Sequence, residues 1–228
     1  MEGSGLSPPT LFTLGPIAVT RTVLDSVVAS GVLIALAGLV RLGLGRRPSG
    51  WPVAAELLVE HFEDLMRDLF GSDPRPYTPL IVTLALFIGV ANLLGLVPGL
   101  HSPTGDFSTT AALATVVFLA VPFFGIRARG LRGYLGHYLE PSPWLLPFEI
   151  VTEFSRTLAL AVRLFGNIMS EELVIAVLLS LAGLLVPVPI MLLAVLTSVV
   201  QAYIFAVLTV VYVSAAVRAG HPPEEPQS

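Results

Sequence analysis

Residues 149–172, EIVTEFSRTLALAVRLFGNIMSEE, place charged side chains inside a segment that is otherwise apolar enough to lie in a lipid bilayer. Arg163 stands at the centre of this segment, with Leu160 and Leu164 on either side. An arginine at the midpoint of a membrane helix costs about 2.5–3.5 kcal/mol on insertion scales. We therefore expect a group that offsets this cost, and its identity should indicate the function.

The composition predicts an all-α polytopic membrane protein. The chain has 228 residues, of which 54% are hydrophobic and 12% charged, and a mean hydropathy of +0.84, values that exclude an ordinary soluble domain. The net charge of −4 argues against nucleic-acid binding. Cysteine is absent and the four histidines have no metal-ligand spacing, so we expect neither a metal nor a cofactor.

Five apolar segments are long enough to be embedded in a hydrocarbon core of about 30 Å. They cover residues 22–44, 78–97, 108–126, 148–185 and 190–217 of a single membrane domain, 22–218, with tails at 1–21 and 219–228. Residues 55–70 instead predict an amphipathic interfacial helix that packs on the protein, because their polar face is acidic. The fourth segment would be about 57 Å long as a helix, so we expect the last two to form a strongly tilted hairpin around Pro187.

The arginines predict the orientation in the membrane. They cluster at the C-terminal ends of the first, third and fifth segments, at Arg41, Arg46, Arg47, Arg127, Arg129, Arg132 and Arg218. Because basic residues favour the cytoplasmic side, the C-terminus should be cytoplasmic and the N-terminus outside. We expect Pro122 to kink the third segment and the arginines after it to lie in a linker. Asp25 could line a channel mouth, but we interpret it as a solvated helix end.

Polar residues follow one stripe of the fourth segment, at positions 149, 153, 156, 163, 167 and 170. Glu149 and Glu153 can pair with Arg156, whereas Arg163 has no acid within one helical turn. Glu172 lies about 13.5 Å further along the axis and roughly opposite in azimuth. This pattern favours two offset polar paths that each reach halfway across the membrane.

Two amides on other helices can bond to neighbours. Gln201, in the last segment, can hydrogen-bond Arg163 or Asn167, or simply pack between helices. For Asn92 we prefer an interhelical hydrogen bond without a direct role in transport.

Several motifs together resemble subunit a of F-type ATP synthases. They are RLFGN at 163–167 with Glu172-Leu173 following, QAYIF at 201–205, NLLGLVP at 92–98, PTGD at 103–106 and PFE at 147–149. The resemblance covers most of the chain, and RLFGN is its most specific block.

The resemblance implies an ion-translocating stator subunit in the bacterial plasma (inner) membrane. The partner of Arg163 would be a carboxylate on a ring of c subunits, and the other partners would be the b-subunit stalk, the F1 sector that carries the ATP chemistry, and lipid. It implies roles in an outer half-channel for Asn167, Glu172 and Gln201, and in an inner one for Glu149, Ser155 and Arg156, with Glu171, Glu153, Asn92 and Asp106 as further possible participants. Glu171 is an additional acid and Ala194 is apolar where relatives often have a polar group. Whether H⁺ or Na⁺ is carried stays open.

The alternative is a self-contained secondary cation transporter, in which Arg163 would pair with Glu149, Glu153 or Asp25 of its own chain. Inverted repeats would support that alternative, and the sequence shows none. A purely structural scaffold is disfavoured by the arginine in an apolar segment.

Overall fold

The computed structural model describes residues 10–14, 17–44, 50–70, 73–97, 100–139, 144, 146–183, 186 and 188–218. Its helices are α1 (Arg21–Leu44), α2 (Gly50–Phe70), α3 (Thr78–Leu94), α4 (Phe107–Leu139), α5 (Leu146–Ala182) and α6 (Val188–Arg218), with a 3₁₀ turn at Pro103–Gly105 between α3 and α4. The all-α polytopic membrane fold is confirmed. The tail at 219–228, Arg46, Arg47 and Pro187 lie outside the described residues.

Two short strands precede the helices, where the sequence analysis expected only a tail. β1 (Thr10–Leu14) pairs antiparallel with β2 (Ile17–Thr20), and Leu14 lies opposite Ile17. Both strands are rich in β-branched and apolar residues, which favour extended backbone.

Four of the five predicted membrane segments form helices that are long and apolar enough to cross a bilayer, namely α1, α4, α5 and α6. The fifth, α3, is apolar but has 17 residues, or about 26 Å of helix. The count of five spans therefore stays a prediction. With 37 residues, α5 is about 55 Å long, which exceeds the hydrocarbon core, and its tilt in the membrane also stays a prediction.

The course of α4 corrects the sequence analysis. The helix runs through Pro122 to Arg129, and after a break at Gly130 a second helical stretch continues to Leu139, so the predicted linker, with Arg127, Arg129 and Arg132, is helical on both sides of one glycine. Helical dihedrals are interrupted at Gly130 (φ 74°, ψ 162°), a conformation that glycine adopts without steric cost. Beyond this break the Tyr134 ring covers Gly125, where a Cβ atom would lie only 2.5 Å from the ring.

Two apolar clusters hold the helices together. In the first, Phe62, Met66 and Phe70 of α2 pack against α3, α4 and α6, which confirms that the amphipathic helix packs on the protein. In the second, Leu160 and Leu164 of α5 pack among α3, α4 and α6. The spacing of these two leucines defines the buried face of α5.

Candidate functional site

Arg163 lies on the exposed side of α5. Its neighbours Leu160 and Leu164 are buried, at 2% and 0% exposure, whereas Arg163 itself is exposed. Within the described residues the guanidinium takes part in no hydrogen bond or ion pair. The charge is therefore turned away from the helix packing and is available to a group outside this chain.

A polar contact between α5 and α6 lies one turn from Arg163. Asn167 Nδ2 donates to Gln201 Oε1 at 2.7 Å, and Gln201 is only 3% exposed. Of the alternatives left open for Gln201, the hydrogen bond to Asn167 is the one that forms. One turn further along both helices, the Glu171 side chain lies against the Thr197 hydroxyl, so a second polar contact follows the first.

Glu172 faces in another direction, towards the segment that joins α3 to α4. Its Oε1 atom accepts a hydrogen bond from the Ser102 backbone N–H at 3.3 Å. Gly105 approaches the same carboxylate so closely that a Cβ atom there would lie 3.2 Å from Oε1. The carboxylate is therefore held against main-chain groups of the 100–106 loop.

The same loop is fastened to α3 by buried side chains. Ser102 Oγ donates to Ala91 O at 3.1 Å and lies 2.6 Å from Thr104 Oγ1. The Thr104 hydroxyl donates to Asn92 Oδ1. We call Glu172, Ser102, Thr104 and Asn92 the outer cluster. Asn92 is 3% exposed, and its Nδ2 atom has no hydrogen-bond partner among the described residues.

Asp106 joins this loop to α1. Its Oδ2 atom accepts a hydrogen bond from Thr22 Oγ1 at 3.0 Å, and its Oδ1 atom accepts one from the Ser108 N–H at 2.9 Å. One turn from Thr22, Asp25 is only 5% exposed. The interpretation of Asp25 as a solvated helix end is therefore wrong, because α1 packs this position against its neighbours.

A cavity of about 290 Å³ lies at the other end of α5, between α4, α5 and α6. Glu149, Glu153 and Arg156 line it from α5, Tyr134 from α4 and Tyr212 from α6. We call it the inner cavity. The Oε2 atom of Glu149 is enclosed and has no hydrogen-bond partner among the described residues. Ser155 is exposed and does not line the cavity.

Arg156 does not pair with the acids of its own helix as expected. In the described part of the chain it forms no ion pair, and its Cζ atom lies 5.7 Å from the centre of the Tyr212 ring. A cation–π contact with the ring of a neighbouring helix therefore takes the place of the expected ion pair.

The site residues that sequence reasoning did not single out include Ser102, Thr104 and Tyr212. A signal existed for Tyr212, which follows Gln201 by 11 residues and so lies within about 20° of it on the same helix face. Thr104 lies in the PTGD motif at 103–106 but was given no role, and Ser102 gave no signal, because hydroxyl residues are ordinary in a loop.

Arg163 lies between the two polar regions along α5. Glu172 of the outer cluster is about 13.5 Å along the axis in one direction, and Arg156 of the inner cavity is about 10.5 Å in the other. Arg163 therefore stands on α5 between the residue that contacts the 100–106 loop and the residues that line the inner cavity.

Known proteins with this pattern are similar along nearly the whole chain. The ATP synthase A chain family matches residues 23–214. The chain belongs to this family. ATP synthase subunit a 2 of a Bradyrhizobium species is 45% identical over 95% of this chain and 97% of its own length. ATP synthase subunit a 2 of Pelobacter propionicus is 46% identical and subunit a of Legionella pneumophila 41% identical, each over 91% of both chains.

Family membership and the apolar helices together establish the setting of the molecule. The chain is an integral membrane protein and a component of the membrane sector, Fo, of an ATP synthase. As an ATP synthase subunit a it works in a complex with other subunits.

Proposed function

We propose that this subunit translocates protons between two offset half-channels and that Arg163 separates them. The observation that carries the proposal is the position of Arg163, exposed and without a described partner, between the outer cluster and the inner cavity. The subunit itself would carry out no ATP chemistry.

The counter-ion of Arg163 would be a carboxylate on a rotating ring of c subunits. An exposed guanidinium on a membrane helix needs an opposite charge, and a nearby cation favours the ionised form of a carboxylate. A ring carboxylate facing Arg163 would release its proton, whereas one moving into lipid would have to be neutral. This difference would force a proton to enter by one path and leave by the other.

The two polar regions would supply the paths. Glu172, Asn167 and Gln201 would line the outer half-channel, with Asn92, Asp106 and Glu171 in supporting positions. Glu149, Glu153 and Arg156 would line the inner one, and Ser155 would lie near its exposed edge. With the C-terminus in the cytoplasm of a bacterium, the inner cavity opens to the cytoplasmic side, and a b-subunit stalk holds this subunit against rotation.

The described structure does not contain the ion pair that a self-contained transporter would need. It needs Arg163 to pair with Glu149, Glu153 or Asp25, and Arg163 forms no such pair in the described structure.

Replacement of Arg163 tests the proposal. In the assembled ATP synthase, Arg163→Ala should abolish ATP synthesis driven by a proton gradient, while the soluble sector still hydrolyses ATP. Arg67→Ala is the matched control, because it removes the same charge from an exposed position of α2, where Arg67 pairs with Glu63 and Asp64 of its own helix. Coupled synthesis retained by Arg163→Ala would refute the proposal.

A further inference from the structure

Arg129 joins the end of the first helical stretch of α4 to the end of α6. Its Nε atom donates to Val217 O, in the last turn of α6, at 3.0 Å. Its Nη2 atom is enclosed and has no hydrogen-bond partner among the described residues. A guanidinium keeps its charge in proteins, and a partly enclosed charge is costly without an opposite one. The carbonyl oxygens at a helix C-terminus supply only about half a negative charge, so Arg129 still needs an anion.

Two further arginines lie beside Arg129. Arg218 directly follows Val217, whose carbonyl oxygen accepts the hydrogen bond. Beyond the break in α4 the chain stays close, because a Cβ atom at Gly133 would lie 3.3 Å from Arg129 Cβ, and this brings Arg132 to the same place. The side chains of Arg132 and Arg218 are exposed, and neither forms a hydrogen bond or ion pair within the described part of the chain. We call Arg129, Arg132 and Arg218 the arginine corner.

The acids of the neighbouring helices do not neutralise the arginine corner. The sequences of α4 and α6 contain neither aspartate nor glutamate. On α5, Glu149 and Glu153 line the inner cavity, and no ion pair joins them to the three arginines in the described structure. Three like charges therefore lie together, and among the described residues a single backbone carbonyl is their acceptor.

The arginine corner lies at the boundary between apolar surface and water. Arg218 is the last residue of a helix that is apolar enough to cross a membrane. Leu131, between two of the arginines, is exposed, as are Leu119 and Phe123 further back on α4. Phospholipids place their phosphates at this boundary, because the hydrocarbon core begins just beneath them. An anion that reaches the corner from the membrane is therefore a lipid phosphate.

The chemistry of a phosphate suits these side chains. Its oxygens can accept two parallel N–H bonds from one guanidinium, and such bidentate pairs are among the strong hydrogen bonds of proteins. The headgroup should carry a net negative charge, because the choline of phosphatidylcholine would add a cation to a corner that already has three.

We infer that the arginine corner binds the phosphate of an anionic phospholipid, with Arg132 and Arg218 as its exposed contacts and Arg129 as its partly buried one. Ala215 and Ala216 line the inner cavity within one turn of Arg218, so the bound headgroup would lie beside that cavity. Lipid binding here goes beyond the proposed function and is independent of it, because it involves no step of proton transfer.

The test measures lipid binding to the complete ATP synthase. The enzyme is reconstituted in phosphatidylcholine nanodiscs that contain a trace of phosphatidylglycerol with a photoreactive diazirine near its glycerol. Mass spectrometry of this subunit should find the label on peptides from the ends of α4 and α6. A phosphatidylcholine probe with the same diazirine should label these peptides at least about tenfold less, because its headgroup has no net charge.

Substitution of the two exposed arginines decides whether the corner is the site. Arg132→Gln combined with Arg218→Gln should lower labelling by phosphatidylglycerol at least about tenfold, since one arginine at a lipid surface changes binding about fivefold. The fold should be kept, because neither side chain bonds to a described residue. Arg75→Gln is the matched control, an exposed arginine of the segment before α3, and should leave labelling within about twofold of the unmodified enzyme.

Several results would overturn the inference. The first is labelling of the double variant within about twofold of the unmodified enzyme, and the second is equal labelling by the two probes. Loss of the label on addition of inorganic phosphate would show a site for a soluble anion instead. Label that appears only after Glu224→Gln and Glu225→Gln would assign the corner to the acids of the chain's own tail. Arg163→Ala should leave labelling unchanged, so failure of lipid binding and failure of the proposed function are distinguishable.

Discussion

Gly95 should be a position where one added methyl group loosens the outer cluster. It follows α3 with ordinary helical dihedrals (φ −62°, ψ −18°), so alanine fits its backbone. A Cβ atom there would nevertheless lie 2.7 Å from Ser102 Cβ and 3.1 Å from Ser102 N. Carbon atoms in contact are about 3.5–4.0 Å apart, so the 100–106 loop must move by about 1 Å.

Such a movement would break the hydrogen bond from Ser102 Oγ to Ala91 O, which is already 3.1 Å long. Overpacking of this kind costs about 1–3 kcal/mol, and we expect Gly95→Ala to lower the free energy of unfolding by about 2 kcal/mol. The measurement is SDS-induced unfolding of the purified subunit in mixed micelles, followed by helical circular dichroism.

Gly38→Ala on α1 is the matched control. Nothing lies within 4 Å of a Cβ atom at that position, so the same chemical change should raise helix stability by up to about 1 kcal/mol. The reasoning fails if Gly95→Ala unfolds at the same or a higher SDS concentration than the unmodified chain.

Three further predictions concern single contacts. A double-mutant cycle of Arg156→Met and Tyr212→Leu, measured by SDS unfolding, should give a coupling energy of about 0.5–2 kcal/mol, as expected for a cation–π contact. Additive effects of the two substitutions would contradict that contact. A double-mutant cycle with Asn167→Leu and Gln201→Leu should give a coupling energy of about 0.6–1.7 kcal/mol, the range for hydrogen bonds between membrane helices. A coupling energy of zero would argue against the 2.7 Å hydrogen bond between the two amides. Burial raises the pKa of the Tyr77 phenol above its ordinary value of 10.0, so the stability that the neutral phenol contributes should be fully present below pH 10 and lost as the pH rises through the raised pKa. Tyr77→Phe should reduce this loss of stability at alkaline pH, and an unchanged pH profile would exclude Tyr77 as its source.

The helices could be predicted from the sequence because length and apolar content decide whether a segment enters a bilayer. The stripe of polar residues on α5 could be predicted for a different reason, because helical spacing fixes which residues share a face. For Gln201 the sequence left open a bond to Arg163, a bond to Asn167 or simple packing, and the structure forms the bond to Asn167.

Other features depend on contacts between elements that are distant in sequence. Asp25 looked like a solvated helix end because its exposure is decided by the packing of α1, which no local pattern reports. The sequence predicted that Arg156 pairs with acids of its own helix, because residue spacing reports only on neighbours within one helix. Tyr212, which Arg156 contacts instead, belongs to another helix. The helical backbone on both sides of the break at Gly130 was missed because glycine and arginine after 126 are typical of a linker.

The hydrogen bond between Glu172 and Ser102 comes from the main chain at residue 102. A small residue such as alanine at this position would present the same N–H group, so the side chain can change without removal of the donor. Proline is the exception, and the φ of −66° at Ser102 already matches the angle that its ring imposes. Ser102→Ala and Ser102→Pro would therefore remove the same hydroxyl, yet only proline would also delete the donor to the carboxylate. Sequence comparison at position 102 would consequently understate its importance, since variation there leaves the contact intact.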